Sequence, residues 1–199
     1  ILMRLNSDGS PDVTFGNESI VTKDLSSGTE TSNDRYAAVA VRPDGKYFLA
    51  GLSDKFSSPG RTRRYVTATQ FNSDGSIDNT FGTNGISLMQ VGDGETSAYF
   101  STSLRLRTLR DGRLAVSVSE RVYASESSGE YEFFTSVLRF DQNGIDNTFS
   151  DDGRITFGTG PNIGILGGFD EDQLGKIVIA SCDDKIRRFN IDGTLDSTF

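Results

Sequence analysis

The 199-residue chain has no histidine, one cysteine and four prolines. The missing histidine removes the commonest general base and the commonest metal ligand. The single Cys182 rules out an internal disulfide, so the fold does not depend on oxidation, and compartment stays open on that ground. Cys182 follows the apolar run Ile177–Ser181 and reads as a small core residue rather than a reactive thiolate. No window approaches the roughly 18 apolar residues of a membrane-spanning helix. No stretch sustains a 3.6-residue apolar period, so strands are favoured over helices. Bases are outnumbered, 20 against 28 acids for a net charge of −8, which argues against nucleic acid or anionic membrane as a partner.

Aromatics and glycine are plentiful. The apolar fraction is only 35%, but 14 phenylalanines argue for an ordered core. Half of the 22 glycines stand beside Asp or Asn, which is turn chemistry.

Self-similarity is the strongest signal. One motif occurs four times: Arg4-Leu-Asn-Ser-Asp-Gly-Ser-Pro-Asp-Val-Thr-Phe-Gly16, Gln70-Phe-Asn-Ser-Asp-Gly-Ser-Ile-Asp-Asn-Thr-Phe-Gly82, Arg139-Phe-Asp-Gln-Asn-Gly-Ile-Asp-Asn-Thr-Phe-Ser150 and Arg188-Phe-Asn-Ile-Asp-Gly-Thr-Leu-Asp-Ser-Thr-Phe199. Its phenylalanines, Phe15, Phe81, Phe149 and Phe199, are spaced by 66, 68 and 50 residues. A second motif keeps step between the copies. Val39-Ala-Val-Arg-Pro-Asp-Gly-Lys-Tyr-Phe-Leu-Ala-Gly51 matches Leu106-Arg-Thr-Leu-Arg-Asp-Gly-Arg-Leu-Ala-Val-Ser-Val118 and the more divergent Asp172-Gln-Leu-Gly-Lys-Ile-Val-Ile-Ala-Ser181. Its glycines, Gly45, Gly112 and Gly175, lie 67 and 63 apart. The third version lacks the Pro-Asp before its glycine, and a different first turn is expected there.

Each unit reads as four strands. In the first these are Ala37–Val41, Tyr47–Leu52, Tyr65–Phe71 and Ile86–Gln90, joined through an Asp-Gly hairpin, a variable loop and the Asn-x-Asp-Gly motif. Four antiparallel strands at a constant period predict an all-β chain built as a β-propeller, with about three blades here. The units run over 16–81, 82–149 and 150–199, with 1–15 as the end of a preceding blade. The chain starts inside a repeat and is expected to be a window on a larger protein, or to be completed by another chain.

The paired motifs Pro-Asp-Gly-Lys and Arg-Leu-Asn-x-Asp-Gly-Ser-x-Asp-x-Thr-Phe-Gly resemble the delta-60 repeat, a bacterial propeller-forming repeat of unassigned function. The resemblance covers nearly the whole chain. It implies a large secreted or surface-attached bacterial protein, and it brings no catalytic residues with it.

Within the motif, Asp8, Gly9, Asp12 and Phe15, with Asp74, Gly75, Asp78 and Phe81, Asp146 and Phe149, and Asp192, Gly193, Asp196 and Phe199, read as turn and core. The acids bond nearby amides, the glycine takes a left-handed conformation and the phenylalanine packs between blades. A calcium loop is the competing reading. Aligned on Gly9, however, the first and twelfth positions of an EF-hand would fall on Arg4 and Phe15, so that pattern fails and no cofactor is expected. The acid pairs Asp151-Asp152, Asp170-Glu171-Asp172 and Asp183-Asp184 leave a two-carboxylate glycosidase formally open but read as solvated loops. The stretch Gly158–Gly168 lacks the ending of a phosphate-binding loop and reads as a linker.

In an up-and-down meander, alternate turns lie at one end of the sheet. The two repeated turns therefore share a face, and the variable connections share the other. The variable ones are Ser53–Arg63 and Arg121–Glu132 within blades, and Lys23–Arg35, Gly92–Ser103 and Gly158–Phe169 between them. Loops on a rigid scaffold carry binding residues, so any recognition is expected at Phe56, Arg61, Arg63, Tyr99, Phe100 and Tyr123. The expected partner is a protein or a surface glycan. The expected role is a non-catalytic adhesion or scaffold module, with a lectin-like propeller or a glycan-cleaving domain as alternatives.

Overall fold

The structure is a computed structural model describing residues 1–24, 32–58, 61–91, 100–123, 131–157, 166–181 and 185–199. Every regular element among them is a strand: β1 (Leu2–Met3), β2 (Ile20–Val21), β3 (Ser32–Val41), β4 (Tyr47–Ser58), β5 (Arg61–Phe71), β6 (Ile86–Val91), β7 (Phe100–Thr108), β8 (Leu114–Tyr123), β9 (Tyr131–Asp141), β10 (Gly144–Ile145), β11 (Arg154–Phe157), β12 (Leu166–Glu171), β13 (Ile177–Ser181) and β14 (Lys185–Phe189). They form antiparallel sheets in the order β1-β2, β3-β4-β5-β6, β7-β8-β9 and β12-β13-β14. In the β7-β8-β9 sheet the fourth place, beside β9, is shared by β10 and β11.

The alternation of the strands gives each sheet two different faces. Phe48, Ala50, Leu52, Val66 and Ala68 of the first full sheet pack against Leu114, Val116, Val118, Leu138 and Phe140 of the second. Ala115 and Val137, on the second sheet's other face, pack with Ile177, Ile179 and Phe189 of the third. One face of each sheet thus covers the opposite face of the next, and the core is a series of inter-sheet layers.

Phe15, Phe81 and Phe149 are completely buried, as the motif predicts. Phe15 meets Tyr47 of the following sheet edge-on, with ring centres 5.5 Å apart. Phe199, the last residue, is 60% exposed.

The variable loops also depart from expectation. Ser53–Ser58 and Arg61–Arg63 of the first, and Arg121–Tyr123 and Tyr131–Glu132 of the second, are strand. The β4–β5 ladder continues to Ser58↔Arg61, and the β8–β9 ladder to Tyr123↔Tyr131. Part of the cause is a cross-strand pair at Asp54↔Arg64. Arg64 donates to both carboxylate oxygens of Asp54, at 2.5 and 2.7 Å, and the two side chains are buried on the face toward the second sheet. Breaking such a pair strands a buried charge, so it holds the hairpin in register. The connections placed at Lys23–Arg35 and Gly92–Ser103 are likewise shortened, by strands starting at Ser32 and Phe100.

The third copy of the first turn matches the others, contrary to expectation. Asp172 and Lys176 are bonded backbone to backbone as Arg42 and Lys46 are, and Gly175 donates to Asp172 as Gly45 does to Arg42. Asp44 and Asp111 accept from the amides of Lys46 and Arg113, and Asp172 accepts from the amide of Lys176. An acid moved two residues upstream caps the same amide.

Two stability contrasts follow from this packing. Phe81→Ala should lower unfolding free energy by about 3–5 kcal/mol. Phe199→Ala should change it by about 0.5 kcal/mol or less, both read by urea unfolding. Gly75 and Gly9 share a left-handed backbone, at φ 88° and 86°. A Cβ on Gly75, however, would lie 2.9 Å from the Gly16 amide, whereas one on Gly9 meets nothing within 4 Å. Gly9→Ala should therefore cost only the backbone term, roughly 1 kcal/mol, and Gly75→Ala distinctly more.

Candidate functional site

The repeated aspartates Asp12, Asp78, Asp146 and Asp196 sit at one end of the sheets and make the same bonds. One carboxylate oxygen accepts from the amide and hydroxyl of the threonine two residues on. For Asp78 these bonds to Thr80 are 3.1 and 2.6 Å, and for Asp146 to Thr148 they are 3.0 and 2.5 Å. The other oxygen accepts from cations. Asp78 takes Lys46 Nζ at 2.6 Å, and Asp146 takes Arg113 Nη1 at 2.9 Å and Arg139 Nε at 2.6 Å. Asp196 takes Lys176 Nζ and Arg188 Nε, each at 2.7 Å, and Asp12 takes Arg4 Nε at 2.8 Å. The two repeated turns therefore do share a face, since Lys46, Arg113 and Lys176 come from the first turn and the aspartates from the third.

The node also clamps each repeat to the next. The amide after each motif phenylalanine donates to a carbonyl in the following Asn-x-Asp-Gly turn: Gly16 to Asp74 at 2.8 Å, Gly82 to Gln142 at 3.2 Å and Ser150 to Asp192 at 2.7 Å. Arg4 lies over the Phe15 ring, 4.6 Å from its centre, and donates through Nη1 to the Ser73 carbonyl. Arg139 lies 4.4 Å over Phe149 and donates likewise to the Ile191 carbonyl.

The second copy carries Gln70 in place of this arginine, and two substitutions compensate. With its amide oriented to satisfy its neighbours, Gln70 donates to Asp78 and accepts from Arg42 Nη1, both at 2.8 Å. The Thr80 hydroxyl, whose counterparts Thr14 and Thr148 accept from Arg4 and Arg139, accepts instead from Gln142 of the next repeat at 2.9 Å.

These contacts lower the affinity of the carboxylates for protons. Burial pushes Asp146 up, but the hydrogen bonds from Thr148 and Arg113 and the charge of Arg139 outweigh it and bring its pKa to about 2. Asp196 is lowered foremost by Lys176 and then by Thr198, and Asp12 foremost by Thr14. The turn acids Asp8, Asp74 and Asp192 are lowered by the Ser or Thr two residues on. Their oxygens are engaged by their own turns, and among the described residues no group of three or more acids or cysteines is placed to hold a metal ion.

Between the second and third sheets the nodes line a cleft of about 380 Å³, walled by Arg113, Arg139, Thr148, Lys176, Asn190, Ile191 and Asp192. Its cations are matched by Asp146, Asp192 and Asp196, so it presents no net positive field to an anion. Sequence reasoning passed over it. The available signal was a base recurring directly after the first-turn glycine, at Lys46, Arg113 and Lys176.

At the opposite end Arg63 is exposed and pairs across the ladder with Lys55, whose ammonium lies 5.5 Å over the Tyr65 ring. Phe56, Arg61, Phe100 and Tyr123 lie on strands, but their side chains, like the whole of Tyr99, Cys182 and Asp183-Asp184, lie outside the described residues. The same holds for 158–165, most of the glycine-rich stretch. Of the other acid pairs, Asp152 caps the Arg154 amide and Glu171 accepts from the Arg110 amide at 2.8 Å.

A family profile described as Domain of unknown function (DUF5122) beta-propeller matches residues 1–15 and 175–199, the first and last copies of the node-forming motif. The fold is a β-propeller, present as an open run of blades. No curated protein and no solved structure matches the chain. In this propeller both matched segments contain a repeated turn with its aspartate and phenylalanine.

The node predicts a specific acid response. A carboxylate whose pKa is lower folded than unfolded adds stability above its ordinary pKa and loses it as pH falls through the folded value. For Asp146 that window runs from about 4 down to about 2. Asp146→Asn leaves Arg113 and the buried Arg139 without their shared anion, and should cost about 3–5 kcal/mol at neutral pH. Urea titrations should show the gap between variant and parent closing as pH falls across that window.

Proposed function

We propose that the chain is a non-catalytic binding or structural module of a large secreted or cell-surface bacterial protein, of the delta-60 type. In this reading it serves protein–protein contact or adhesion. The observation that carries the reading is the state of the repeated acids. A glycosidase needs one carboxyl group with a raised pKa as its proton donor. Asp12, Asp78, Asp146 and Asp196 are all lowered instead, and each is engaged by its own turn and by at least one cation, which at Arg4 and Arg139 also reaches the next repeat. The repeated chemistry is spent on holding blades together.

Recognition then falls to the opposite end, where the hairpins differ between blades. Extended two-stranded arms place residues well clear of the sheet core, and the β4–β5 arm carries Lys55 and Arg63 on adjoining strands. Phe56, Arg61, Tyr99, Phe100 and Tyr123 join them in the proposed contact surface for a protein or a surface glycan.

Two measurements on the full chain test this. Incubation with a panel of aryl glycosides and polysaccharides should release no product. Turnover that falls with Glu171→Gln or Asp152→Asn would establish a glycan-cleaving enzyme in its place. Trimming the β4–β5 arm by replacing residues 56–61 with a two-residue turn should abolish binding to glycan arrays and to purified surface proteins while leaving thermal unfolding nearly unchanged. Binding that survives this trimming unaltered would remove the arm from the contact surface.

A further inference from the structure

At the node end the junctions between successive repeats are built alike but filled differently. Between β1-β2 and the first full sheet, the Tyr47 hydroxyl accepts from Arg4 Nη1 at 3.2 Å. Between the first and second full sheets, the side chain of Gln142 reaches back to the Thr80 hydroxyl at 2.9 Å. At the junction of the second and third sheets the matching places hold Ile177 and Ile191, whose side chains bring no polar atom. The cleft of about 380 Å³ lies there, within the roughly 300–1,000 Å³ of small-molecule sites. It is open within the array: Ser73-Asp74 and Gln142-Asn143, each followed by a further repeat, are exposed just as Ile191-Asp192 are.

The walls leave bonding capacity of both signs. Lys176 and Arg113 are partly exposed, and each has N–H groups beyond those taken by Asp196, Asp146 and Asp111. The opposite charge comes from Asp192, whose Oδ1 accepts from the amide and hydroxyl of Thr194 at 3.0 and 2.7 Å. Its Oδ2 makes no bond among the described residues. An occupant therefore needs acceptor oxygens for the cations and a donor for Asp192. It also needs no net charge, because carboxylates already balance the cations.

We propose that this cleft binds a free α-amino acid as its zwitterion, with an apolar side chain along Ile191. The α-carboxylate lies on Lys176 and Arg113, and the α-ammonium on Asp192 Oδ2. Hydrogen bonds that are charge-assisted at both ends are stronger than those of neutral hydroxyls, which favours the zwitterion over a sugar ring. The site is separate from the hairpin arms at the other end of the sheets.

The test is isothermal titration calorimetry of the full 199-residue chain with L-leucine, N-acetyl-L-leucine and L-leucine amide. Leucine should bind, and removing either of its charges should weaken binding by about tenfold or more. Asp192→Asn keeps the oxygen that caps Thr194 and loses only the charge, so it should bring leucine down to the level of its N-acetyl derivative. Ile191→Gln copies the Gln142 arrangement and should fill the cleft, abolishing binding while urea unfolding stays like the parent's. Trimming the distant β4–β5 arm should leave leucine binding unchanged. No binding of leucine, a blocked derivative that binds as tightly, or an Ile191→Gln chain that binds like the parent would each overturn the proposal. So would glucose binding in leucine's place that Ile191→Gln abolishes.

Discussion

A single carboxylate, repeated at Asp12, Asp78, Asp146 and Asp196, is the contact on which the arrangement of the sheets depends. One of its oxygens closes the turn on the following threonine. At Asp78, Asp146 and Asp196 the other anchors a cation from the first turn of the same unit, so two hairpins of one sheet are tied at a common end, while Asp12 holds Arg4 of its own motif. At Arg4 and Arg139 the arginine side chain also caps the motif phenylalanine and reaches into the next repeat. Local turn, intra-sheet tie and inter-sheet clamp thus meet at one charge. A buried charge is tolerable only when all its lone pairs are met, and this confines variation at the node. The Gln70 copy illustrates the constraint. Losing the arginine is accompanied by Arg42 beside the glutamine and by Gln142 on the freed threonine hydroxyl.

At the opposite end the hairpins differ in sequence from one repeat to the next. They are extended arms rather than loose loops, since antiparallel pairing satisfies backbone groups that an irregular excursion would leave to solvent. The buried Asp54–Arg64 pair is matched in the second blade by Arg121 and Phe133 at the corresponding places of the ladder.

Much of this was legible in the residues. The period, the two turns, the shared face of those turns and the burial of Phe15, Phe81 and Phe149 all follow from spacing and turn chemistry, because they are local or repeated. Strand ends at Ser58 and Tyr123 were not legible. They depend on cross-strand partners, and a run such as Ser-Asp-Lys-Phe-Ser-Ser reads as loop until Arg64 is placed opposite Asp54. The cleft between Arg113 and Lys176 was missed for the same reason, since its walls come from different sheets.

The sequence by itself determined that the chain is a tandem all-β repeat with a constant, structural turn face and a variable face. Periodicity and turn preference are properties of short segments, and those are written in residue order. Only the tertiary structure decided which carboxylates are neutralised by which cations, and which carbonyl of the next repeat Arg4 and Arg139 reach. Those outcomes depend on what the adjacent repeat brings within hydrogen-bonding distance, and that neighbour is set by stacking rather than by the segment itself.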